Sequence, residues 1–155
     1  MLKRLPNIIL LFLLLFATIE LNAANTEAAE IAEIDSLLDR SFYFMRTVDI
    51  KASLEHALEA LSLSKSADYS LGTIRSCYSI GQALFHTGNY TESLKYLSQA
   101  DKLKKKSEFP LYMCQIHKVR GQIYSNLELH HQAINEFSKS LSYAGKIKTE
   151  ITKII

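Results

Sequence analysis

Residues Arg75 to Lys102 read RSCYSIGQALFHTGNYTESLKYLSQADK, and this stretch decides the fold. In its first half Cys77, Ile80, Ala83 and Leu84 recur at three- and four-residue spacing, which places them on one face of a helix. Leu94, Leu97, Ala100 and Leu103 do the same in the second half. Gly88-Asn89 breaks the pattern between them, and Asn89 followed by Glu92 has the spacing of a capping box, with Asn in place of Ser or Thr. The spacing predicts a helical hairpin. Gly81, Ser93 and Ala100 are small where larger side chains would cost nothing in solvent, so they are expected on the line where two helices touch. One hairpin cannot bury both of its apolar faces, so the same unit is expected elsewhere in the chain.

It recurs at a constant offset of 40 residues. Ser53, Ser93 and Ala133 align, as do Ala57, Leu97 and Phe137, then Ala60, Ala100 and Ser140, then Leu54, Leu94 and Ile134. In the first helix of each unit Ser41, Gly81 and Gly121 align, followed by Phe44, Leu84 and Tyr124, while Gln82 recurs as Gln122. Small and large positions recur together through three units without a gap.

This pattern of small and large residues around a turn such as GNYTES resembles the tetratricopeptide repeat. The family's small packing positions fall on Ser41, Ser53 and Ala60, on Gly81, Ser93 and Ala100, and on Gly121, Ala133 and Ser140. The resemblance implies an all-α fold, an α-solenoid of helical hairpins wound into a right-handed superhelix. The chain departs from the family in three ways. Its period is 40 rather than 34, an early aromatic position holds Leu37, Cys77 and His117, and a late proline is absent. HEAT and armadillo repeats share the longer period and are the competing architecture.

Upstream of the repeats, Lys3 and Arg4 precede the apolar run Ile8 to Phe16, followed by small residues to Ala24, the layout of a secretory signal peptide. Cleavage is expected after Ala23, with an uncleaved anchor over Asn7 to Leu21 as the alternative. The chain carries a net charge of +2, and removal of residues 1–23 would take away Lys3, Arg4 and Glu20 and leave +1. That balance gives no field for nucleic acid or a membrane surface.

The expected organisation is a signal peptide at 1–23, a linker or helix start at 24–33, three repeats at 34–73, 74–113 and 114–147, and the start of a truncated fourth repeat at 148–155. The first unit pairs helices from Ile34 to about Thr47 and from Asp49, a capping residue, to about Ser66. In the second unit the last helix is expected to run through Lys106, with the lysines at 102 and 104–106 in its final turn. In the third, Pro110 suits the first turn of a helix to Asn126, and the last helix runs from His130 to about Ala144 with Gly145 as its stop. Residues 146–155 are expected to be loosely packed, leaving Ile134, Phe137 and Leu141 as an uncapped apolar edge open to self-association.

The search for chemistry returns little. Cys77 and Cys114 are expected as buried free thiols, and His130-His131 as solvent-facing. His56, His86 and His117 sit on three helices without metal-ligand spacing. No glycine-rich phosphate loop, nucleophile elbow or Cys-x-x-Cys occurs. No enzyme, cofactor or metal is expected.

In the tetratricopeptide family the first helices of successive units line a concave groove. The resemblance places Phe42 and Arg46, then Arg75, Tyr78, Gln82 and Phe85, then Lys118, Gln122 and Asn126 on that surface, with Leu38, His86 and Gln115 among their neighbours. Aromatic rings on rigid helices give contact area at small entropic cost, and amides can bond an extended backbone. The lysine and asparagine clamp of the chaperone-binding members is missing, since its positions hold Leu38, Phe42, Ser79, Gln115 and Val119. The chain is therefore expected to be an exported, non-catalytic module that binds a peptide or protein in its groove. The alternative is the extracytoplasmic input region of a bacterial sensor, a histidine kinase or helix-turn-helix regulator, which the signal peptide followed by 40-residue repeats resembles.

Overall fold

The computed structural model describes residues 5–103 and 108–154. It contains six α-helices, α1 (Leu5–Arg46), α2 (Ile50–Ser66), α3 (Ser70–His86), α4 (Tyr90–Asp101), α5 (Pro110–Asn126) and α6 (His130–Ile154), and no strand among the described residues. Consecutive helices pack on one another, and α1, α3 and α5 also touch in a row. The architecture is an all-α solenoid of helical hairpins.

Every turn within a hairpin is built the same way. Val48, Gly88 and Glu128 adopt left-handed backbone, with φ of 64°, 77° and 58°. The amides of Asp49, Asn89 and Leu129 then reach back to the carbonyls of Phe44, Leu84 and Tyr124, each at 2.9 Å. This is the Schellman arrangement, which satisfies carbonyls that the end of a helix leaves without partners. Asp68 repeats it between the first two hairpins, at φ 49°. The caps differ. Asp49 accepts a hydrogen bond from the Ala52 amide at 3.0 Å, as expected. Asn89 makes no side-chain cap; its Nδ2 turns to Thr87 Oγ1, and Glu92 pairs instead with Lys95, so the expected capping box does not form.

Small residues line the contact between the two helices of each hairpin. A Cβ on Gly81 would lie 2.5 Å from Leu97, and one on Gly121 would lie 2.6 Å from the Phe137 ring. In the first hairpin the same two positions hold Ser41 and Ala57, both fully buried, so a larger residue on α1 faces a smaller one on α2. Hydroxyls tie the seams to backbone. Ser41 Oγ donates to the Ser53 carbonyl at 2.9 Å, Ser93 Oγ to the Gly81 carbonyl at 2.6 Å, and Ser140 Oγ to the Cys114 carbonyl at 2.9 Å. Ala60, Ala100 and Ala133 are buried beside them. The apolar core runs through α2 to α5 over Leu61, Ile74, Ile80, Leu97, Ile116 and Ile123, with a second cluster of Ile34, Leu37, Leu38 and Ala60 under α1. Each such side chain, fully buried, contributes about 1.5–3 kcal/mol.

Of the two readings of residues 24–33, the structure has the helix: the stretch, alanine-rich and suited to helix, is continuous with α1. Two boundaries differ from expectation. The second helix of the second hairpin ends at Asp101 and not at Lys106, because the chain tightens there through the bonds of Lys102 to Gln99 and Leu103 to Ala100. Lys102 therefore follows the helix, and the lysines at 104–106 lie outside the described residues. Gly145 does not stop the last helix. Glycine in a helix interior costs only about 1 kcal/mol relative to alanine, and α6 continues through it to Ile154, taking in the stretch expected to begin a fourth repeat.

The two ends of the array present different surfaces. The face that packs back on the preceding hairpin holds Ser76, Ile80 and Ala83 in α3, all buried; in α1 the same positions are Ser36, Arg40 and Tyr43, all exposed. At the far end Ile134, Phe137 and Leu141, the expected apolar edge, are 64%, 37% and 73% exposed. No helix among the described residues is long and apolar enough to cross a membrane.

Candidate functional site

The row α1, α3, α5 carries two small clefts that meet at Tyr78. The first, about 240 Å³, is lined by Leu38, Asp39, Phe42, Arg75, Tyr78, Ser79 and Tyr112. The second, about 170 Å³, is lined by Tyr78, Gln82, Phe85, His86, Gln115, Lys118, Val119 and Gln122. The three-and-four spacing of Tyr78, Gln82 and Phe85 puts them on one side of α3. Their core-facing neighbours Cys77, Ile80 and Ala83 are fully buried on the other. Gln115, Lys118 and Gln122 stand in the same relation to Ile116, Val119 and Ile123 on α5.

Most residues expected in the groove are therefore brought together, and each has definite surroundings. Tyr78 meets Tyr112 edge-on, with ring centroids 6.5 Å apart; burial, followed by the neighbouring Tyr112, raises its phenol above the ordinary value. Phe85 packs between His86 and Tyr90. Phe42 is 57% exposed, with the Arg46 guanidinium 5.9 Å over its ring. Asn126 is exposed and donates its Nδ2 to Tyr90 Oη at 3.0 Å; neither it nor Arg46 lines a cleft.

Arg75 lies in the first cleft, as expected of a groove residue, and is already paired there: its Nη1 lies 2.6 Å from Asp35 Oδ1 and its Nη2 3.0 Å from Asp39 Oδ1. Tyr69 adds a hydroxyl to the same Asp35 oxygen at 3.4 Å, and burial, followed by the charge of Asp35, raises that phenol. With both forks of its guanidinium engaged, Arg75 clamps α3 to α1 and forms the floor of the first cleft.

A second constellation was missed in the sequence. His117 Nδ1 lies 2.8 Å from Glu136 Oε2, and the two residues are only 2% and 3% exposed. Glu136 also takes Lys139 Nζ at 3.0 Å and lies 3.1 Å from Arg120 Nε, while Arg120 Nη1 reaches Asp101 at 3.3 Å. The Arg120 Nε contact is ionic only, since its N–H makes no hydrogen bond. The Tyr143 ring stacks on His117 at 5.6 Å, and Lys146 Nζ sits 4.7 Å over that ring. Burial pushes the Glu136 carboxyl up, but the hydrogen bonds of His117 and Lys139 and the charge of Arg120 outweigh it and hold the group below the ordinary range. His117 and Glu136 are buried at its centre while Lys139 and Asp101 reach solvent at its rim, and the cluster knits α4, α5 and α6 together. Its signal in the sequence is that Asp101 and Arg120 replace Leu61 and Ile80 of the preceding unit, one on each side of the same contact.

No group of His, Cys, Asp and Glu among the described residues is arranged to hold a metal ion. Cys77 is buried and Cys114 half-buried, both free, and burial pushes the Cys77 thiol up to about 11. His130 and His131 are exposed at the start of α6.

Residues 74–107 and 119–146 match the tetratricopeptide repeat family. Over these residues the chain is similar to tetratricopeptide repeats. The matched stretches cover the second hairpin and most of the third, and the first tetratricopeptide-like hairpin shares their turn and seam at the 40-residue offset. No curated protein and no solved structure matches the chain. Tetratricopeptide repeats generally mediate contacts between proteins and are generally scaffolds without catalytic activity.

Proposed function

We propose that this tetratricopeptide-like array binds a peptide or an extended protein segment along α1, α3 and α5, and that it acts without catalysis. The observation that carries this reading is the pair of clefts joined at Tyr78, which brings half-buried aromatic rings and amides from two repeats onto one face. Each cleft is smaller than the roughly 300–1,000 Å³ of a small-molecule or cofactor site. Two side-chain-sized hollows in series suit a linear ligand better than a compact one. Panning a displayed heptapeptide library on the purified full chain is expected to enrich binders that lose affinity on Tyr78→Ala or Gln122→Ala and keep it on Glu59→Ala, a change on the exposed side of α2. Enriched peptides that bind the Tyr78 and Gln122 variants undiminished would remove the groove from the reading.

Export follows from the order of Lys3, Arg4, the apolar run and the small residues to Ala24, and is tested by sequencing the N-terminus of the mature chain in its host. Self-association is read from the exposed row Ile134, Phe137 and Leu141 on α6. Light scattering is expected to show mass rising with concentration and Leu141→Lys lowering it; a constant monomer mass would retire this part.

A further inference from the structure

Resting on the groove reading, we propose that the ligand is an extended segment in which an apolar or aromatic side chain fills the first cleft and a carboxylate side chain, Asp or Glu, fills the second.

The two hollows differ in charge although they share a wall. In the first, the one cation is already neutralised, because Arg75 is held by Asp35 and Asp39 at 2.6 and 3.0 Å. What remains on its surface is the apolar and aromatic face of Leu38, Phe42, Tyr78 and Tyr112, which suits an uncharged side chain. The second has no carboxylate in its lining. It presents the ammonium of Lys118 with the amides of Gln82, Gln115 and Gln122. Lys118 is exposed and has no carboxylate within ion-pair distance among the described residues. An ammonium with amide N–H groups and a protonated phenol, Tyr78, is a set of donors around a hollow of about 170 Å³. Since a water occupies about 30 Å³ in the liquid, that is room for one short side chain and little more.

A donor-lined hollow with one uncompensated positive charge is complementary to an anion, and hydrogen bonds to charged groups are the strong ones. Along an extended segment, side chains two apart point the same way about 6.6–6.8 Å from each other. One peptide can therefore present both groups to clefts that share Tyr78. Specificity arises because neither hollow accepts the other's occupant. A carboxylate in the first would meet Asp39, and an apolar side chain in the second would strip water from Lys118 and the three amides without replacing its hydrogen bonds.

The experiment uses the same displayed library on the full chain, followed by fluorescence anisotropy with the enriched heptapeptides. Enriched sequences are expected to pair an apolar or aromatic residue with Asp or Glu nearby. Lys118→Glu is expected to weaken them about tenfold, the range of a hydrogen bond to a charged partner, and replacing the peptide's acid by Lys is expected to restore binding to that variant. Raising the salt concentration should weaken the wild-type pair. Enriched sequences without an acid, or affinity unchanged by Lys118→Glu, overturn this proposal. If such sequences still lose affinity on Tyr78→Ala and Gln122→Ala, the groove stands with a different ligand. If they do not, or if nothing is enriched, the groove reading fails with it.

Discussion

Between the first and second hairpins α2 presents Leu61 and α3 presents Ile80, both buried in one apolar cluster. Forty residues on, the same two positions hold Asp101 and Arg120, 3.3 Å apart, and charge extends from there through Glu136 to His117 and Lys139 in the third hairpin. The backbone repeats while the chemistry of the contact inverts. This is tolerated because both sides changed: a charge on one side alone would be buried without a partner, at the cost that isolated charges carry in low dielectric. The difference teaches that the repeat specifies spacing, and that a contact within it is specified as a pair.

The sharpest way to break that contrast is Glu136→Ala, which leaves His117, Arg120 and Lys139 without their shared acceptor. Removing one member of a buried ion pair costs roughly 3–5 kcal/mol, and urea unfolding reads it; a loss under about 1 kcal/mol would mean the cluster is not holding the hairpins together. The same group sets an acid limit. Because the folded Glu136 carboxyl lies below its ordinary value, its contribution is complete above the unfolded range near 4.5 and is lost as pH falls through the folded value. Wild-type melting temperature is therefore expected to drop more steeply below that pH than that of Glu136→Gln. Parallel curves would count against the assignment.

The next test converts one interface into the other. Asp101→Leu and Arg120→Ile singly are each expected to destabilise by about 1–3 kcal/mol as partners are left unpaired. Together they recreate the Leu61 and Ile80 pair and should cost less than their sum by about 0.5–3 kcal/mol. Strict additivity would show that the two positions do not meet.

The glycine seam offers the same logic without charge. Gly81→Ser has no room against Leu97 and is expected to cost about 1–3 kcal/mol, whereas with Leu97→Ala the pair resembles Ser41 and Ala57 and the two changes should partly compensate. The smallest contrast is between caps. Asp49→Ala removes a real side-chain bond and should cost about 1 kcal/mol, while Asn89→Ala should cost a few tenths. Equal losses would erase the distinction.

What was legible in the sequence is what depends on spacing along one chain. The Gly81, Ser93 and Ala100 seam, the turn at Gly88 and the start of α5 at Pro110 follow from local pattern and from the offset of 40. Positions decided by small energies were not legible. Asn89 could cap or turn to Thr87, and Gly145 could end a helix or sit inside one at about 1 kcal/mol. Positions decided by partners were harder still. Arg75 looked available for a ligand, yet Asp35 stands 40 residues before it, in register on the neighbouring helix of the row, and that coincidence was there to be read. His117 was a departure from the family pattern whose meaning appears only when Glu136 closes over it from α6.

The length of α1 has a mechanical consequence. Residues 24–33, which cleavage after Ala23 would leave in place, precede the first buried position of the array, Ile34, and belong to the same uninterrupted helix. At about 1.5 Å per residue they form a rod of about 15 Å. Arg75 bolts the array end of that helix to α3 through Asp35 and Asp39, and Arg75 also floors the first cleft. Whatever grips the far end of the rod therefore sets the stand-off and the bearing of the clefts together, and a tilt of a few degrees there moves the opening by about an ångström.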